Sequence, residues 1–504
     1  MLKVYHFRSF SGLKYSEGYC ILGLMPQVLN NFLNRITMYR LMLYFLLVLW
    51  AATIFLSVFG VLPYKAFDIL LSGIFLGILC NLTNYLFVKI FRARTNLESA
   101  TITALILTLI VGPVSLLENI WVLGFISTVA MASKYFLAVR KKHIFNPAAM
   151  AVLLSAILLK YGASWWIGSM YTLPFIILGG LLVLAKIKRF ELAASFLFVY
   201  FLGTNSFPVP PLWFFVFVML VEPLTSPSTK VKQIVFGGFV ALTYLLLPKV
   251  IPGYAYGLET ALLAGNLLNL AISPSFNVVL VFKKKEKVAR DTWQFFFEPM
   301  SKFKFTPGQY LEWTLPHKIP DSRGTRRFFT ISSAPGEENI TLTMRVAEKG
   351  SSFKSALMNF REGQEVGATS PQGEFVLPED KSIPIVFVAG GIGVTPFRSM
   401  AKSMILNNEK RDIVLVYSNR QEADIAFKSL LDRAEGFGLR TVYVNTDKDG
   451  HIDKEMIIKA TPDYLKRMFY ISGPQPMVEA MKKMLSEMKI KIIKTDFFPG
   501  YTEV

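Results

Sequence analysis

The sequence predicts two unlike parts: a polytopic α-helical membrane domain, then a soluble part that begins in strands and continues as an α/β fold. Three observations carry this. Apolar residues make up 53% of the 504-residue chain, and its mean hydropathy is +0.43, a membrane-like balance. They are concentrated before about residue 273, after which charged residues become frequent and strand-like alternation appears. Finally, "AGGIGVTPFRSM" (389–400) is a glycine-rich turn between the apolar run Ile385–Val388 and a helix-like stretch, an arrangement suited to holding phosphate. The segments read as 1–40, cytoplasmic or interfacial; 41–274, membrane domain; 277–380 and 381–504, two soluble domains.

In the first part, apolar segments run near 41–62, 66–90, 99–116, 118–138, 146–161, 172–186, 190–204, 210–224, 231–248 and 259–273. That makes about ten spans, some shorter than the ~20 residues of a full crossing. With the N-terminus inside, the inner connections carry Arg92 and Arg94; Arg140, Lys141 and Lys142; Lys186, Lys188 and Arg189; Lys230 and Lys232; and Lys283, Lys284 and Lys285. Only Lys65, Lys160 and Lys249 lie at the edges of outer loops. This positive-inside pattern places both termini in the cytoplasm of a multi-pass protein of the cell (inner) membrane, with the lipid bilayer as a partner.

The net charge of +19 follows from these flanking residues, so lipid headgroups and not nucleic acid are the expected anionic partner. Cys20 and Cys80 are too few for a disulfide framework or for an iron–sulfur cluster, which takes about four. His6, His143, His317 and His451 all fall outside the middle of a span, whereas two bis-His haems need about four within spans. No metal site is expected. The opening residues lead into no signal-peptide core.

An internal echo links "LTLIVGPVS" (107–115) to "FVMLVEPLTSP" (217–227), five spans apart. An odd offset predicts an inverted repeat with broken helices; the alternative is that proline ends a helix in both places. Polar residues stand at three points. Asn146 before Pro147 in "HIFNPAAMAV" suits a helix start. Glu222 ends an apolar run in "VEPLTSPSTK", with Thr225 following. Asn266 and Asn269 sit in the last span and read as interhelix contacts. Asn146, Glu222 and Thr225 are either caps or a membrane site.

F-N-P-A followed by E-P-L-T-S-P over some ten spans resembles the related membrane subunits B and D of the sodium-pumping NADH:quinone reductase and the Rnf complex. The pattern there is usually D-P-V-T-S-P, so Glu222 stands where Asp is expected. The resemblance implies flavin in the membrane domain, often FMN esterified to the threonine of S-G-A-T. That sequence is absent here, which leaves a non-covalent FMN or riboflavin, or a quinone.

In the second part, "NVVLVFKKKEKVARDTWQFFFEP" reads as two strands and a turn, and "FTPGQYLEWTLP" adds a Pro-Gly turn before a strand. In "RRFFTISSAP", Arg327 can pair with a phosphate, Phe329 stack on an isoalloxazine and Thr330 bond near flavin N5; the alternative is an ordinary strand with a surface Arg. Gly350, Ser351 and Ser352 in "KGSSFKSAL" mark a helix start able to bind pyrophosphate. "IPIVFVAGGIGVTPFRSM" is strand, glycine turn, helix. "IVLVYSNRQEADIAF" is a second strand with Ser418 and Arg420 at its end, "MFYISGPQPMVEAM" a later strand and Gly-Pro turn, and "DFFPGY" nearly closes the chain.

This set and order resemble the ferredoxin-NADP reductase superfamily over residues 277–504. The resemblance implies an antiparallel β-barrel for FAD and a parallel α/β domain for NADH or NADPH. It places Arg327, Phe329 and Thr330 on FAD, Gly350, Ser351 and Ser352 on its pyrophosphate, and Gly390, Gly391, Gly393 and Thr395 on the nicotinamide dinucleotide. Ser418 and Arg420 fall at the adenosine ribose; Ser472, Gly473 and Pro474 face the nicotinamide; Asp496 and Phe498 sit near the flavin. Thr330, Ser472 and Asp496 are the expected catalytic residues. Phe329 stands where many relatives have Tyr, and Ser472 where Cys is frequent. The expected enzyme is an NAD(P)H-dependent FAD oxidoreductase passing electrons to a flavin or quinone in its membrane part, or to an external acceptor. Redox-linked cation transport, and a membrane part that only docks the reductase, are the alternatives.

Overall fold

The computed structural model describes residues 33, 36–91, 97–114, 119–139, 142–251, 257–273, 276–321, 323–346 and 351–496. The first part contains α1 (Met38–Val58), α2 (Ala66–Phe91), α3 (Leu97–Ile110), α4 (Ile120–Phe136), the short strands β1 (Ala138–Val139) and β2 (Lys142–His143), α5 (Pro147–Leu159), α6 (Leu173–Ile187) and α7 (Phe190–Thr204). There follow α8 (Pro210–Phe214, continued by a π-helical stretch Phe215–Leu220), α9 (Lys230–Val250) and α10 (Gly257–Ile272). Each apolar segment becomes a helix, but helix length leaves the expectation of ten crossings unconfirmed. Among the described residues three helices, Met38–Val58, Ala66–Phe91 and Lys230–Val250, are long and apolar enough to cross a membrane, while seven others have 10–17 residues. At 1.5 Å per residue the shorter ones reach about 15–25 Å, less than a ~30 Å hydrocarbon core. After α3 the window ran on to 116 because buried apolar loop residues, Val111 and Val114, extend it.

The helices pack by a scheme that recurs at an offset of five. α2 packs on α4 as α7 packs on α9, α1 on α3 as α6 on α8, and α4 on α5 as α9 on α10. Across the middle, α1 meets α6 and α5 meets α10. The interior of each half is a short helix, buried over 103–111 in α3 and over 214–221 in α8. Both run into proline loops, whose backbone groups must find partners inside the protein. After α3, the Ser164 and Trp165 N–H groups donate to the Ile110 carbonyl at 2.9 and 3.0 Å, and the Trp166 indole donates to the Val111 carbonyl at 2.9 Å. After α8, Arg189 donates to Ser226 Oγ at 2.7 Å and to the Pro227 carbonyl at 2.5 Å. The outer faces of α1, α2 and α9 expose Val48, Phe55, Ile78, Leu82, Val235 and Leu246, an apolar exterior that water-soluble chains seldom present.

The second part opens with β3 (Asn277–Ala289), β4 (Thr292–Pro299), β5 (Tyr310–Thr314), β6 (Arg326–Thr330), β7 (Ile340–Arg345), the short helix α11 (Ser352–Met358) and β8 (Glu365–Thr369). These strands form an antiparallel sheet in the order β6-β5-β8-β3-β4-β7. The Ser332 N–H, just past β6, donates to the Thr341 carbonyl of β7 at 3.0 Å, which curls the two edges toward closure. Inward residues Leu280, Phe282, Phe295, Phe297 and Trp313 fill the space between.

A parallel sheet follows: β9 (Ile385–Gly390), β10 (Ile413–Asn419), β11 (Leu439–Asn445), β12 (Met468–Ser472) and β13 (Ile493–Asp496), ordered β11-β10-β9-β12-β13. β9 and β10 are buried at every residue, as strands covered on both faces must be. α12 (Thr395–Leu406) and α13 (Gln475–Glu487) follow the turns after β9 and β12. The two soluble domains are joined by α12: Arg398 donates to the Ser332 carbonyl at 2.8 Å and pairs with Glu337, and Ser399 Oγ donates to the Ser333 carbonyl at 2.6 Å.

The close crossing of α7 and α9 tests the helical packing. A Cβ on Gly237 would press on the Leu192 backbone carbonyl, whereas one on Gly77 of α2 meets nothing within 4 Å. Gly237→Ala is expected to destabilise the helical part by about 1–3 kcal/mol, and Gly77→Ala to stabilise it by up to about 1 kcal/mol. Thermal unfolding in detergent, followed by circular dichroism, reads both signs.

Candidate functional site

The strand order of the parallel sheet reverses beside β9, so β10 lies on one side of it and β12 on the other. The crevice at the carboxyl ends of such strands is where α/β sheets bind ligands. Register puts the expected residues in one row across it. Ser418 pairs with Gly390, Ser472 pairs with Ala389 on one side and with Asp496 on the other. Thr330 of the antiparallel sheet reaches the same row, its Oγ1 donating to Asp496 Oδ2 at 3.3 Å.

Glycine is what lets the two turns meet. A Cβ on Gly393 would press on the Ser472 carbonyl, and one on Gly473 would come within 3.3 Å of Gly390. Gly391 has φ +54°, and no atom lies within 4 Å of where its Cβ would stand, so its backbone faces open space. The buried Thr395 begins α12 with Pro396 behind it. Pro474 precedes α13 and Arg420 lies exposed beyond β10. The cradle thus fits a dinucleotide phosphate group at Gly391 and its ring beside Ser472.

The flavin side is built on β6. Arg327 is buried, and its guanidinium donates to Asp321 Oδ1 at 2.8 Å, to Ser351 Oγ at 3.3 Å and to the carbonyls of Arg323, Gly324 and Arg326. Ser352, the first residue of α11, donates its N–H to Asp321 Oδ2 at 3.1 Å. Arg327, Ser351 and Ser352 therefore converge as expected, around a carboxylate the sequence reading missed. Burial acts to raise the Asp321 pKa, but hydrogen bonds and charge from Arg323 and Arg327 hold it well below the usual carboxylate range. The donors fit a diphosphate, provided that Asp321 yields them. Phe329 is half-buried, with its ring 5.7 Å from that of Phe353. Gly350 and Phe498 lie outside the described residues.

Residues 387–483 match the model of the oxidoreductase NAD-binding domain. With the antiparallel sheet before it, this segment is similar to the FAD- and NAD-binding part of ferredoxin-NADP reductase-like oxidoreductases. The chain is 29% identical over 216 residues to the glycine betaine monooxygenase reductase subunit of Pseudomonas aeruginosa, a match covering 40% of this chain and 58% of the relative. It is 26% identical over 238 residues to a flavohemoprotein of Bacillus thuringiensis, covering 43% and 58%. The chain thus spans under two thirds of these relatives' length. Among solved structures, the ferredoxin-NADP+ reductase from Plasmodium falciparum superposes at TM-score 0.39 with 20% identity, over 44% of this chain and 96% of that one.

The helical part carries a second cluster beside the reductase module. Asn146 caps α5, its Oδ1 accepting from Ala149 N at 3.0 Å, while its Nδ2 donates to Glu222 Oε2 at 2.8 Å. Thr225 Oγ1 donates to the same oxygen at 3.0 Å. The three expected membrane-site residues are therefore in direct contact. Asn266 and Asn269 are structural, both amides donating to the Thr225 carbonyl, at 3.1 and 3.0 Å. The sequence reading missed His143, whose Nε2 lies 3.9 Å from Glu222 Oε1, and Arg189. It also missed Tyr39, whose hydroxyl accepts from Arg326 of β6 at 2.5 Å. Glu222, Asn146 and Tyr39 line one cavity, whose other walls include Met38, Met42, Ile106, Val183, Ile187 and Val218.

Two measurements test the reductase site. Arg327→Ala is expected to lower the flavin-to-protein ratio after purification, since a charge-assisted phosphate contact contributes about 1.5–3 kcal/mol. Burial pushes the Asp496 carboxyl up to about 7, against the opposing Thr330 hydroxyl and Lys188 charge. Below that pH it is neutral; above it, a negative charge stands where reduced flavin would add another. Stopped-flow hydride uptake is therefore expected to slow as pH rises through about 7, and Asp496→Asn to remove the inflection.

Proposed function

We propose that the chain is a membrane-bound flavoprotein oxidoreductase that takes hydride from NADH or NADPH onto FAD and passes the electrons to a flat redox ring in its helical part. That ring is a quinone, or a non-covalent FMN or riboflavin. The observation that carries the proposal is the Tyr39–Arg326 bond. Tyr39 is a wall of the cavity that Glu222 lines, and Arg326 is the neighbour of Arg327 on the strand that also ends in Thr330. Donor module and acceptor cavity are thus in contact within one chain.

The chain's own residues do limited, physical work. Arg327, Ser351 and Ser352 would hold FAD by its pyrophosphate, and Thr330 and Asp496 would face its ring. Gly390, Gly391, Gly393 and Thr395 would receive the dinucleotide, with Ser472, Gly473 and Pro474 orienting its nicotinamide. When bound, FAD accepts a hydride and releases its electrons onward; the protein supplies position and electrostatics. The relatives' names, a reductase subunit and a flavohemoprotein, support the reductase half. The apolar outer faces and the positive-inside charges support a place in the cell membrane, with the reductase module and both termini in the cytoplasm. The packing scheme that recurs at an offset of five supports a second reading, redox-linked cation transport, because inverted repeats build transport sites.

Purified full-length protein is expected to hold FAD and to reduce ferricyanide with NADH or NADPH. A flavin count decides the ring: one flavin per chain with quinone reduction points to quinone, two to a resident flavin. In the double variant Asn146→Ala, Thr225→Val, ferricyanide reduction is expected to persist while transfer to quinone falls about tenfold, or ~1.4 kcal/mol. Wild-type rates for both would make the cluster purely structural.

A further inference from the structure

We propose that His143 and Glu222 form a proton relay that feeds the larger cavity from a second, smaller one. The inference rests on the reading that a carbonyl-bearing redox ring is reduced in the larger cavity, and adds where its protons come from.

The small cavity is lined by His143, Lys142, Asn266, Asn269, Leu224 and Ser273 among others. The large cavity is lined by Glu222 but not by His143, and of the two linings only Leu224 is shared. His143 and Glu222 therefore stand on opposite sides of one thin partition, with Nε2 and Oε1 3.9 Å apart. That gap is too long for a hydrogen bond and short enough for a small ring rotation to close. His143 Nε2 and Asn269 Oδ1 are both buried without a hydrogen-bond partner. Two such atoms at one polar cavity point to water inside it.

The carboxylate is arranged asymmetrically. Glu222 Oε2 is occupied by two donors, Asn146 Nδ2 and Thr225 Oγ1. Oε1 faces His143 and is the oxygen that takes and releases the proton. An excess proton from bulk solvent, carried by water in the small cavity, protonates His143; His143 passes it to Oε1 and returns to its neutral form, and Glu222 delivers it to a ring oxygen or nitrogen in the large cavity and returns to the carboxylate. The groups facing the pair are Lys134 from α4, Lys142 from β2, Arg189 from the α6–α7 turn, and Tyr39 from α1. Lys134 donates to Ser99 Oγ at 3.3 Å and Thr103 Oγ1 at 3.0 Å, both on the cavity wall.

The balance is NAD(P)H + H⁺ + quinone → NAD(P)⁺ + quinol. The hydride's own proton is released on the reductase side, and both protons that complete the ring enter through the relay.

The test uses full-length, FAD-loaded protein with two acceptors: ferricyanide, which takes electrons without protons, and a soluble short-chain ubiquinone. His143→Ala and Glu222→Gln are expected to lower quinone reduction at least about tenfold, with added imidazole restoring the first and Glu222→Asp retaining activity. Wild-type quinone reduction is expected to slow in D₂O more than ferricyanide reduction does. If purified protein holds two flavins, the same comparison is made on stopped-flow bleaching of the second flavin. Variants that keep quinone reduction within about twofold of wild type, or a loss with neither rescue nor solvent isotope effect, overturn the relay alone. Wild-type protein with one flavin and no quinone reduction overturns the acceptor reading and the relay with it.

Discussion

A carboxylate inside a helical bundle has to be given donors, and much of the helical part is arranged around Glu222. Its Oε2 accepts from the α5 cap and from Thr225 in its own loop. That loop is held in turn by the Asn266 and Asn269 amides of α10 and by Arg189. An uncompensated buried charge costs several kcal/mol, so the loop, the start of α5 and one face of α10 are fixed relative to one another. The cavity beside them inherits that rigidity. Asn146 does two jobs at once, capping α5 with its oxygen and donating to Glu222 with its nitrogen.

The reductase module depends on a different constraint, the reversal of strand order in its parallel sheet. Ser418 pairs with Gly390, and Ser472 with Asp496 and with Ala389 one position before Gly390, so four separate strands end together, because parallel register aligns strand ends. Glycine at 393 and 473 then lets the turns after β9 and β12 close to backbone contact. Arg398 and Ser399 fix the angle between this sheet and the antiparallel one, so Thr330 arrives at Asp496 from the other domain.

Between the two parts stands a small polar joint. Arg326 donates to Tyr39 and stacks over its ring at 4.6 Å, while the Lys230 N–H donates to Glu374 at 3.4 Å. Glu312 lies buried behind Arg326, its pKa raised by burial against the Arg326 and Lys142 charges. A cation held over an aromatic ring and bonded to its hydroxyl is directional, which suits a contact that must orient two bodies rather than merely adhere.

The sequence by itself determined every helix of the first part to within a few residues and each strand–turn–helix unit of the second, because hydropathy period and glycine turns are local signals. It also named Asn146, Glu222 and Thr225, since a polar residue in an apolar run is conspicuous. It did not decide which apolar runs are long enough to cross a membrane. Loop residues such as Val111 are as apolar as the helix before them, and only backbone geometry separates the two. Nor could it pair His143 with Glu222, 79 positions apart, assign Asp321 to Arg327, or see that Tyr39 meets Arg326. An ordinary His, Asp or Tyr carries no local mark of its partner. Those contacts exist because helix packing and strand order bring distant segments together, and that is a property of the whole chain and not of any window within it.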